Sequence, residues 1–274
     1  MNPTLSIIIL SYRNPALLRL CLNSVKKSLD SKTNYEVIVV DNESTEKNRS
    51  VVNHEFSHKF SQIKLVSLKK NMGYTRGVNE GIKIAKGDFI FYINHDIVLT
   101  PESTENMINY LKKHRDVGLI GPGFLNFNET HQDSCFRFYK PSTILYRRAP
   151  YLPFAKRELE LFSMKDKDLS IPDEVDWISG AAFMSSREAI NKVGLMDEKL
   201  FHYFSDVDWS KRFWENGYKV VYFPSSKIYH YHGKGSQGKF GLLEVLVNKQ
   251  TRWHLNDALK YFGKHGIKNI THKS

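Results

Sequence analysis

Short apolar strands alternate with amphipathic helices over the first third of the chain, and this pattern restricts the fold more than any other feature of the sequence. Residues 5–10 are a run dominated by β-branched apolar side chains, as a strand covered on both faces requires. Asn14 and Pro15 then supply a helix cap and a first helical residue, and apolar residues repeat at helical spacing as far as Leu29. The pattern predicts an α/β, Rossmann-like fold with a mainly parallel central sheet flanked by helices.

The same alternation continues, with strands predicted at residues 35–40, 63–68 and 89–93 and a helix at residues 74–85. Right-handed crossovers bring the carboxyl ends of parallel strands to one edge of the sheet. Ser11, Asp41 and Asp96 are expected near that edge, because each stands at or just beyond the end of a predicted strand. Open α/β sheets bind their ligands outside these strand ends, so we expect a ligand cleft there.

The second half of the chain is less regular. Pro101 behind Thr100 is expected to open a helix, and Gly118 begins a short strand. We interpret residues 125–174 as an irregular, acceptor-facing insertion. Regular structure is predicted again from Val175. Its elements are a helix at residues 207–216, strands at residues 218–223 and 227–232, and a helical tail at residues 242–262.

These elements suggest three regions: a donor-binding half (1–124), an acceptor-binding and catalytic half (125–239) and a C-terminal helical tail (240–274).

Composition limits the environment and the partners. The 274 residues contain no apolar run long enough to span a bilayer, the N-terminus lacks the zones of a signal peptide, and the two cysteines have no paired spacing. We therefore expect a cytoplasmic protein without a disulfide or thiolate metal site. The formal charge of +11 suggests a phosphate-bearing or membrane-surface partner. Because the basic residues are scattered rather than gathered in one stripe, nucleic acid is not an expected partner.

Asp96 and two histidines suggest a cation site. Asp96 follows a predicted strand directly, and a carboxylate there suits Mg²⁺ or Mn²⁺, which bridge phosphates while taking few protein ligands. His230 and His232 stand two apart in a predicted strand and share a face, so both could face one cation or diphosphate. A Gly-rich turn at residues 233–236 follows them and favours this interpretation. The alternative is a histidine pair on the surface.

Residues 71–79 lead into a helix, whose N-terminal N–H groups favour an anion. The GxGxxG pattern of dinucleotide-binding folds is missing after the first strand, where Ser11–Asn14 stands instead. This argues against NAD, even though Asp41 occupies the position of a ribose-binding acid.

Asp206 and Asp208 stand at the start of a predicted helix among aromatic residues. Either could simply cap the helix. The alternative is that Tyr203, Phe204 and Trp209 contribute to a half-apolar sugar pocket that raises the pKa of a catalytic carboxylate.

Taken together, these segments resemble the inverting family 2 glycosyltransferases, in particular the rhamnosyltransferase-like branch that builds bacterial surface polysaccharides. The matching stretches are residues 6–12, 37–44, 71–81, 94–96, 177–181 and 204–218, in the family's order.

The resemblance implies a GT-A fold, a UDP- or dTDP-sugar donor, a divalent cation (Mg²⁺ or Mn²⁺) and a glycan or lipid-linked acceptor. It implies that Asp206 is the general base of an inverting transfer. Asp96 would bind the metal with His230 or His232, a choice the sequence leaves open. The donor-binding residues would be Ser11, Tyr12, Asp41, Asn42, Ser44, Asn71, Gly73, Arg76, Asn79, Asn94 and His95. The acceptor-binding residues would be Trp177, Ser179, Gly180 and Asp208.

Ser205 and Asn94 depart from the family pattern, because each stands where the family has an acid. A non-catalytic nucleotide-sugar-binding or scaffold protein of a polysaccharide assembly complex is therefore kept as an alternative function. Nucleotidyl transfer would require a Gly-rich loop after the first strand, which is missing. The tail helix either packs on the domain or on a second subunit of a homodimer, or it lies on an anionic membrane at the inner face of the plasma membrane.

Overall fold

The strands of this computed structural model confirm the predicted α/β organisation. The structure describes residues 3–29, 33–60, 62–231 and 248–267. Numbered in chain order, its strands are β1 (Leu5–Ser11), β2 (Tyr35–Asp41), β3 (Ile63–Ser67), β4 (Phe89–Asn94), β5 (Ile97–Leu99), β6 (Val117–Leu125), β7 (His131–Gln132), β8 (Cys135–Phe136), β9 (Asp173–Glu174), β10 (Trp177–Ile178), β11 (Ala182–Ser186) and β12 (Lys219–His230).

Helices cover both faces of the sheet. They are α1 (Pro15–Ser28), α2 (Glu46–Ser50), α3 (Tyr74–Ile84), α4 (Ser103–Lys113), α5 (Pro141–Arg148), α6 (Ala155–Phe162), α7 (Arg187–Val193), α8 (Ser205–Glu215) and α9 (Lys249–His265). A π-helical stretch, Val51–Phe56, continues α2.

Ten of the described strands form one mixed sheet. Its main path runs β3-β2-β1-β4-β11-β6-β12-β5, while β7 pairs with β6, and β9 pairs with β12. The first four strands of this path are parallel, as predicted. β11 enters antiparallel between β4 and β6, so one sheet contains strands from both predicted halves of the chain.

Alternation along β1 explains why helices lie on both sides. All seven residues of β1 are buried. Ile7 and Ile9 belong to one apolar cluster with the inner face of α1, whereas Ile8 and Leu10 belong to a second cluster with α3. Successive side chains of a strand face opposite sides of the sheet. A strand that lies between two helical layers is therefore mostly apolar on both faces.

The structure corrects the prediction that residues 125–174 are irregular. This segment contains α5 and α6 as well as short paired strands. Each helix has only eight residues, about two turns, which is too short to establish a convincing apolar period.

Two further boundaries differ from the predictions. The helix expected at Pro101 begins at Ser103, because the hydroxyl of Thr100 donates to the Lys227 carbonyl oxygen (2.5 Å) rather than capping the helix. The two strands expected at residues 218–232 form a single strand, β12, whose register shifts between Phe223 and Lys227.

The described part of the tail, α9, packs on its own domain. Its residues Ala258 and Tyr261 join an apolar cluster with Phe204 and Val207. The predicted tail residues 242–247 lie outside the described part of the chain. No helix among the described residues is both long and apolar enough to cross a bilayer.

Candidate functional site

The strand ends meet as the sequence predicted. Ser11 pairs with Asp41 across β1 and β2, and Leu10 pairs with Asn94 across β1 and β4. The polar side chains that follow these strands are therefore close neighbours along one edge.

Asp41 lies fully buried at this edge. Its Oδ1 accepts a hydrogen bond from Asn48 Nδ2 (2.7 Å), and its Oδ2 accepts one from the Thr45 N–H (3.3 Å). Asn48 Nδ2 also donates to Ser11 Oγ (3.2 Å). This cluster holds the loop after β2 against the end of β1. Above it, the Tyr12 side chain is 42% exposed and can be reached by a ligand.

Asn42 organises the loop before α3. Its Nδ2 donates to Asn71 Oδ1 (3.2 Å) and to the Gly73 carbonyl oxygen (3.1 Å), while its Oδ1 accepts from the Met72 N–H (2.8 Å). Gly73 has φ of 87°, and a Cβ atom there would lie 2.4 Å from the Phe201 carbonyl oxygen. This close approach joins the loop before α3 to the loop that precedes α8.

Three other predicted donor residues make protein contacts. Arg76 pairs with Glu198 (2.8 Å), and Asn79 holds the backbone of Met196 through both an N–H donor and a carbonyl acceptor. Ser44 Oγ lies 3.4 Å from Ser67 Oγ. The buried amide of Asn79 therefore fastens α3 to the loop at residues 196–198.

Asn94, His95 and Asp96 turn the chain from β4 into β5. Tyr92 donates its hydroxyl proton to Asn94 Oδ1 (2.5 Å), and His95 Nδ1 lies 3.1 Å from the Leu10 carbonyl oxygen. Asp96 Oδ1 is buried and has no hydrogen-bond partner among the described residues. Such an oxygen is expected to interact with a group outside the described residues.

His230 lies opposite Asp96, with its Nε2 3.7 Å from Asp96 Oδ2. Gln132 fixes this ring: its amide nitrogen donates to the His230 carbonyl oxygen (2.8 Å), so its amide oxygen lies 3.0 Å from His230 Nδ1. That arrangement favours a proton on Nδ1 and a lone pair on Nε2, directed towards Asp96. His232, the other predicted ligand, lies outside the described residues.

Two potential ligands fit a divalent cation that also binds phosphate oxygens. Mg²⁺ takes only one or two carboxylates from the protein when substrate phosphates complete its coordination. Among the described residues, no cluster of three or more His, Cys, Asp or Glu side chains forms a metal site. Asp96 and His230 are the two described side chains that could together contact such a cation.

Asp206 stands in the first turn of α8 with both oxygens held by backbone donors. The Gly180 N–H donates to Oδ2 (2.9 Å), and the Val207 N–H donates to Oδ1 (3.0 Å). Burial raises the pKa of Asp206, while the two N–H groups hold back part of that rise. Ser205 beside it is neutral, so burial rather than an acidic neighbour sets this direction.

A cavity of about 100 Å³ adjoins Asp206. Its wall combines aromatic rings with imidazoles and one guanidinium: Tyr139, Arg147, Trp177, His202, Tyr203, Phe204, Val207 and His254. Burial lowers the pKa of His202. Burial and the charges of Arg147 and Arg148 lower the pKa of His254 to about 3. Both imidazoles are thus neutral at pH 7 and are weaker bases than an ordinary histidine, and Asp206 is the carboxylate of the cavity wall.

Tyr92 connects the Asp96 and Asp206 sites. Burial raises the pKa of Tyr92 well above its usual value, and the nearby charges of Asp96 and Asp206 both add to the rise. Tyr74 packs edge-on against Tyr92 (5.7 Å between ring centroids) and donates its hydroxyl to the Gly180 carbonyl oxygen (2.6 Å). The structure therefore brings the neighbourhoods of Asp96 and Asp206 together around two buried tyrosines.

The C-terminal helix α9 completes the cavity. Asp257 is fully buried, and its Oδ2 accepts N–H hydrogen bonds from Phe201, His202 and Tyr203 (3.1, 2.9 and 3.1 Å). Together with His254 on the same helix, it shapes the loop that enters α8. Neither residue was predicted from the sequence. The signal in the sequence was a pair of polar residues, His254 and Asp257, on the buried face of the tail helix. They share this face with Thr251 and Tyr261.

Asp208 is placed apart from the predicted acceptor site. Its carboxylate is fully buried and is bound by Arg212 Nε (3.0 Å), Lys264 Nζ (2.7 Å) and His265 Nε2 (2.7 Å). Residues two apart on a helix face nearly opposite sides, so Asp208 fastens α8 to α9 while Asp206 faces the cavity.

The other predicted acceptor residues are near Asp206. Trp177 lines the cavity and donates its indole N–H to the Arg137 carbonyl oxygen (2.8 Å). Ser179 Oγ accepts from the Ala181 N–H (3.3 Å) and thereby shapes the turn that presents the Gly180 N–H.

Gly180 allows this turn to fit against Tyr74 and Asp206. A Cβ atom there would lie 2.6 Å from the Tyr74 hydroxyl oxygen and 3.1 Å from Asp206 Oδ2. Gly180→Ala should therefore displace both groups, lower the free energy of unfolding by about 1–3 kcal/mol and impair turnover. Urea unfolding and nucleotide release would measure the two effects.

Gly263→Ala is the matched control, because nothing lies within 4 Å of its Cβ position on α9. That variant should gain about 0.5–1 kcal/mol from lower backbone entropy in the unfolded chain. Equal behaviour of the two alanine variants would contradict the close fit at Gly180.

A family model described as Glycosyl transferase family 2 matches residues 6–194. The match includes the ends of β1, β2 and β4 and also Gly180, but it ends before Asp206.

Three bacterial relatives show the same similarity. The poly(ribitol-phosphate) beta-N-acetylglucosaminyltransferase TarS of Staphylococcus aureus (strain Mu50) is 26% identical over 202 residues, which cover 72% of this chain and 35% of TarS. The poly(ribitol-phosphate) beta-N-acetylglucosaminyltransferase TarP of S. aureus (strain N315) is 24% identical over 290 residues, which cover 94% of this chain and 84% of TarP. The dTDP-rhamnosyl transferase RfbF of Shigella flexneri is 26% identical over 86% of this chain and 72% of RfbF. This chain thus spans about a third of the length of TarS.

Solved structures support the fold. The crystal structure of S. aureus TarS superposes with a TM-score of 0.59 at 17% identity, covering 98% of this chain and 46% of TarS. The crystal structure of GalNAc-T7 with UDP, GalNAc and Mn²⁺ gives a TM-score of 0.63 at 16% identity, covering 84% of this chain and 44% of GalNAc-T7. The fold is accordingly the GT-A fold of these glycosyltransferases. Because the family model spans more than half of the chain, the protein belongs to glycosyl transferase family 2.

Proposed function

We propose that this protein transfers a sugar from a nucleoside-diphosphate sugar to a hydroxyl of a glycan or lipid-linked acceptor, with inversion, in the synthesis of a bacterial cell-wall or surface polysaccharide. The observation that carries the proposal is the Asp206 carboxylate, which is buried, held by two backbone N–H groups and adjacent to a cavity lined by aromatic rings.

Asp206 is the proposed general base. A general base works best when its pKa lies near the working pH, and burial moves the pKa of Asp206 in that direction. It would remove the proton from the acceptor hydroxyl as that oxygen attacks the anomeric carbon. A single displacement of this kind inverts the anomeric centre. The aromatic rings of Trp177 and Tyr139 would offer apolar faces to the acceptor sugar.

The donor would bind along the edge formed by β1, β2 and β4, within residues 1–124. Tyr12 offers an exposed ring to the base, and Asn42 holds the loop at Asn71–Gly73 in place. Asp41, with both oxygens engaged by the protein, would keep the Ser11 edge in shape for the ribose. A UDP- or dTDP-sugar is the proposed donor, because RfbF is named as a dTDP-rhamnosyl transferase and GalNAc-T7 was solved with UDP.

Asp96 and His230 would hold a Mg²⁺ or Mn²⁺ ion together with the donor diphosphate. Bound there, the ion would supply positive charge to offset the negative charge of the departing diphosphate. The chain itself contributes the orientation of the ligands, since Gln132 holds the His230 ring and β5 and β12 hold the two ligands in register. Cys21 and Cys135 are free and buried, in keeping with the cytoplasmic setting that we propose.

A thermal-shift panel of UDP-, dTDP-, GDP- and CMP-sugars, with and without Mn²⁺, tests the donor proposal. A ligand at 100 times its Kd raises the free energy of unfolding by about 2.7 kcal/mol, so the true donor should be distinguishable. Asp96→Ala should remove the Mn²⁺-dependent part of that shift. Loss of a residue that only orients a metal ligand typically weakens metal affinity by about 10–100-fold. Asp96→Ala removes a proposed ligand itself, so it should weaken Mn²⁺ affinity by more than this.

Asp168→Ala, which removes an exposed loop carboxylate, is the matched control and should leave the shift unchanged. Release of free nucleoside diphosphate in the presence of acceptor then distinguishes a transferase from a non-catalytic binder. A Mn²⁺-dependent shift that persists in Asp96→Ala would overturn the cation assignment.

A further inference from the structure

The connection between α5 and α6 presents apolar side chains to solvent. Tyr151 is 79% exposed and Phe154 is 80% exposed, while Leu145 on α5 is 42% exposed. Pro150 and Pro153 stand between them in the same exposed turn. We refer to residues 145–157 as the hairpin tip. A concentration of large exposed apolar residues in one short segment is typical of an interaction surface.

Phe154 occupies its position at a local conformational cost. Its φ of 65° is in the left-handed region, where it forms the N-terminal cap position of α6. Asn or Gly adopts this conformation more readily than an aromatic residue. Because the ring is four-fifths exposed, packing within the domain does not compensate for this cost. Contacts within the described fold therefore do not account for an aromatic ring at this position.

The charge of the segment identifies the kind of partner. Residues 141–157 contain four basic side chains and no acidic one: Arg147, Arg148, Lys156 and Arg157. Among the ion pairs of the described residues, none engages Arg147, Lys156 or Arg157. Aromatic rings combined with unpaired basic side chains match an anionic lipid surface, which buries the rings at the acyl boundary and attracts the charges to its phosphates.

The hairpin tip also adjoins the catalytic cavity. Arg147 lines the cavity beside Asp206, and its guanidinium lies over the rings of Tyr139 and Phe162 (5.7 and 5.8 Å). A surface that held the tip would therefore lie close to the mouth of the cavity.

We propose that the hairpin tip docks on an anionic lipid bilayer, with Tyr151 and Phe154 entering the interface and Lys156 and Arg157 contacting lipid phosphates. A soluble polyanion would satisfy the charges but would gain little from two aromatic rings that are about four-fifths exposed. The bilayer accounts for both features. This surface differs from the C-terminal segment, where the exposed large apolar residues, Leu259 on α9 and Ile267 just beyond it, are aliphatic.

Vesicle flotation with the full chain tests the proposal. The protein should float with vesicles that contain phosphatidylglycerol and should remain in solution with pure phosphatidylcholine. The double variant Tyr151→Ser and Phe154→Asn should bind the anionic vesicles at least about tenfold more weakly, because burying one aromatic side chain is worth that much. The double variant Lys156→Gln and Arg157→Gln should lose about 25-fold, from about fivefold per cationic residue.

Two controls keep the test independent of folding and of the proposed catalysis. Phe154→Asn should unfold at the same or a higher temperature, because Asn suits the left-handed conformation. The double variant Leu259→Ser and Ile267→Ser, on α9 and just beyond its C-terminal end, should bind vesicles like the wild type. Flotation requires no donor or acceptor, so failure of the proposed transfer reaction would leave this test unaffected.

Three results would overturn the proposal. The wild type could fail to float with anionic vesicles. The Tyr151→Ser and Phe154→Asn variant could bind anionic vesicles as the wild type does, while the Leu259→Ser and Ile267→Ser variant fails to bind them. Finally, a soluble polyphosphate could bind the wild type and the aromatic variant equally well and displace both from vesicles, which would assign the segment to a polyanion instead.

Discussion

Asp206→Asn should lower the rate of sugar transfer by about 10²–10⁴-fold, the usual contribution of a positioned general base. Asparagine keeps the size of the side chain and one oxygen, which can accept from the N–H of Gly180 or of Val207 but not from both. It cannot accept the proton of the acceptor hydroxyl. Donor affinity should change little, because the proposed donor site is formed by β1, β2 and β4, whereas Asp206 lies on α8. Nucleotide release with acceptor and calorimetry with donor alone would measure the two quantities.

The pH profile of the wild type provides a second measurement of the same group. Because burial raises the pKa of Asp206, the active, ionised form should be lost at a pH above the ordinary value of 3.8 as the solution is acidified. The acidic limb of kcat/KM should therefore lie above that value. Glu215→Gln, which changes a carboxylate at the other end of α8, should retain the wild-type profile. Unchanged transfer in Asp206→Asn would eliminate this residue as the base.

Asp208→Ala should lower the free energy of unfolding by about 3–5 kcal/mol, the cost of removing one partner from a buried ion pair. The substitution would leave Arg212, Lys264 and His265 facing one another without their carboxylate. Because these contacts join α8 to α9, the cavity wall supplied by His254 should also loosen. Urea denaturation at pH 7 would measure the loss.

Asp197→Ala is the matched control, since Asp197 also binds Lys264 (2.8 Å) but is partly exposed. It should cost only about 0–1 kcal/mol. Acid provides an independent test. The partners of Asp208 lower its pKa to about 2 from the usual 3.8, so its contribution is complete above the usual value and is lost as the pH falls towards 2. Equal losses in Asp208→Ala and Asp197→Ala would contradict the structural role of Asp208.

Local sequence patterns predicted most of the regular elements in residues 1–124, but not α2, its π-helical continuation or β5. Strands β1 to β4 and helices α1 and α3 lie close to their predicted bounds, because each combines apolar periodicity with a capping or turn residue that acts within a few positions. Asn14 illustrates this, since its side chain accepts the Leu17 N–H as expected of a cap. The meeting of Ser11, Asp41 and Asn94 followed from the parallel order of the strands alone.

The acceptor side was less predictable, because contacts between distant segments form it. Helices α5 and α6 have too few turns to produce a clear period, and β11 enters the sheet antiparallel between strands that precede it in the chain. Local patterns do not separate Asp206 from Asp208, and the resemblance places both at the site, one as the base and the other as an acceptor-binding residue. Only the packing of α9 assigns one to the cavity and the other to an ion-pair cluster.

The sequence by itself determined the α/β order, the polar edge at the strand ends and the resemblance to family 2 glycosyltransferases, because these depend on residues close together in the chain. The tertiary structure decided which carboxylate faces the cavity, how burial raises its pKa, and that Asp257 and His254 of the last helix shape the site. The physical reason is that burial and hydrogen bonding depend on which distant segments pack together, and short-range patterns do not specify this.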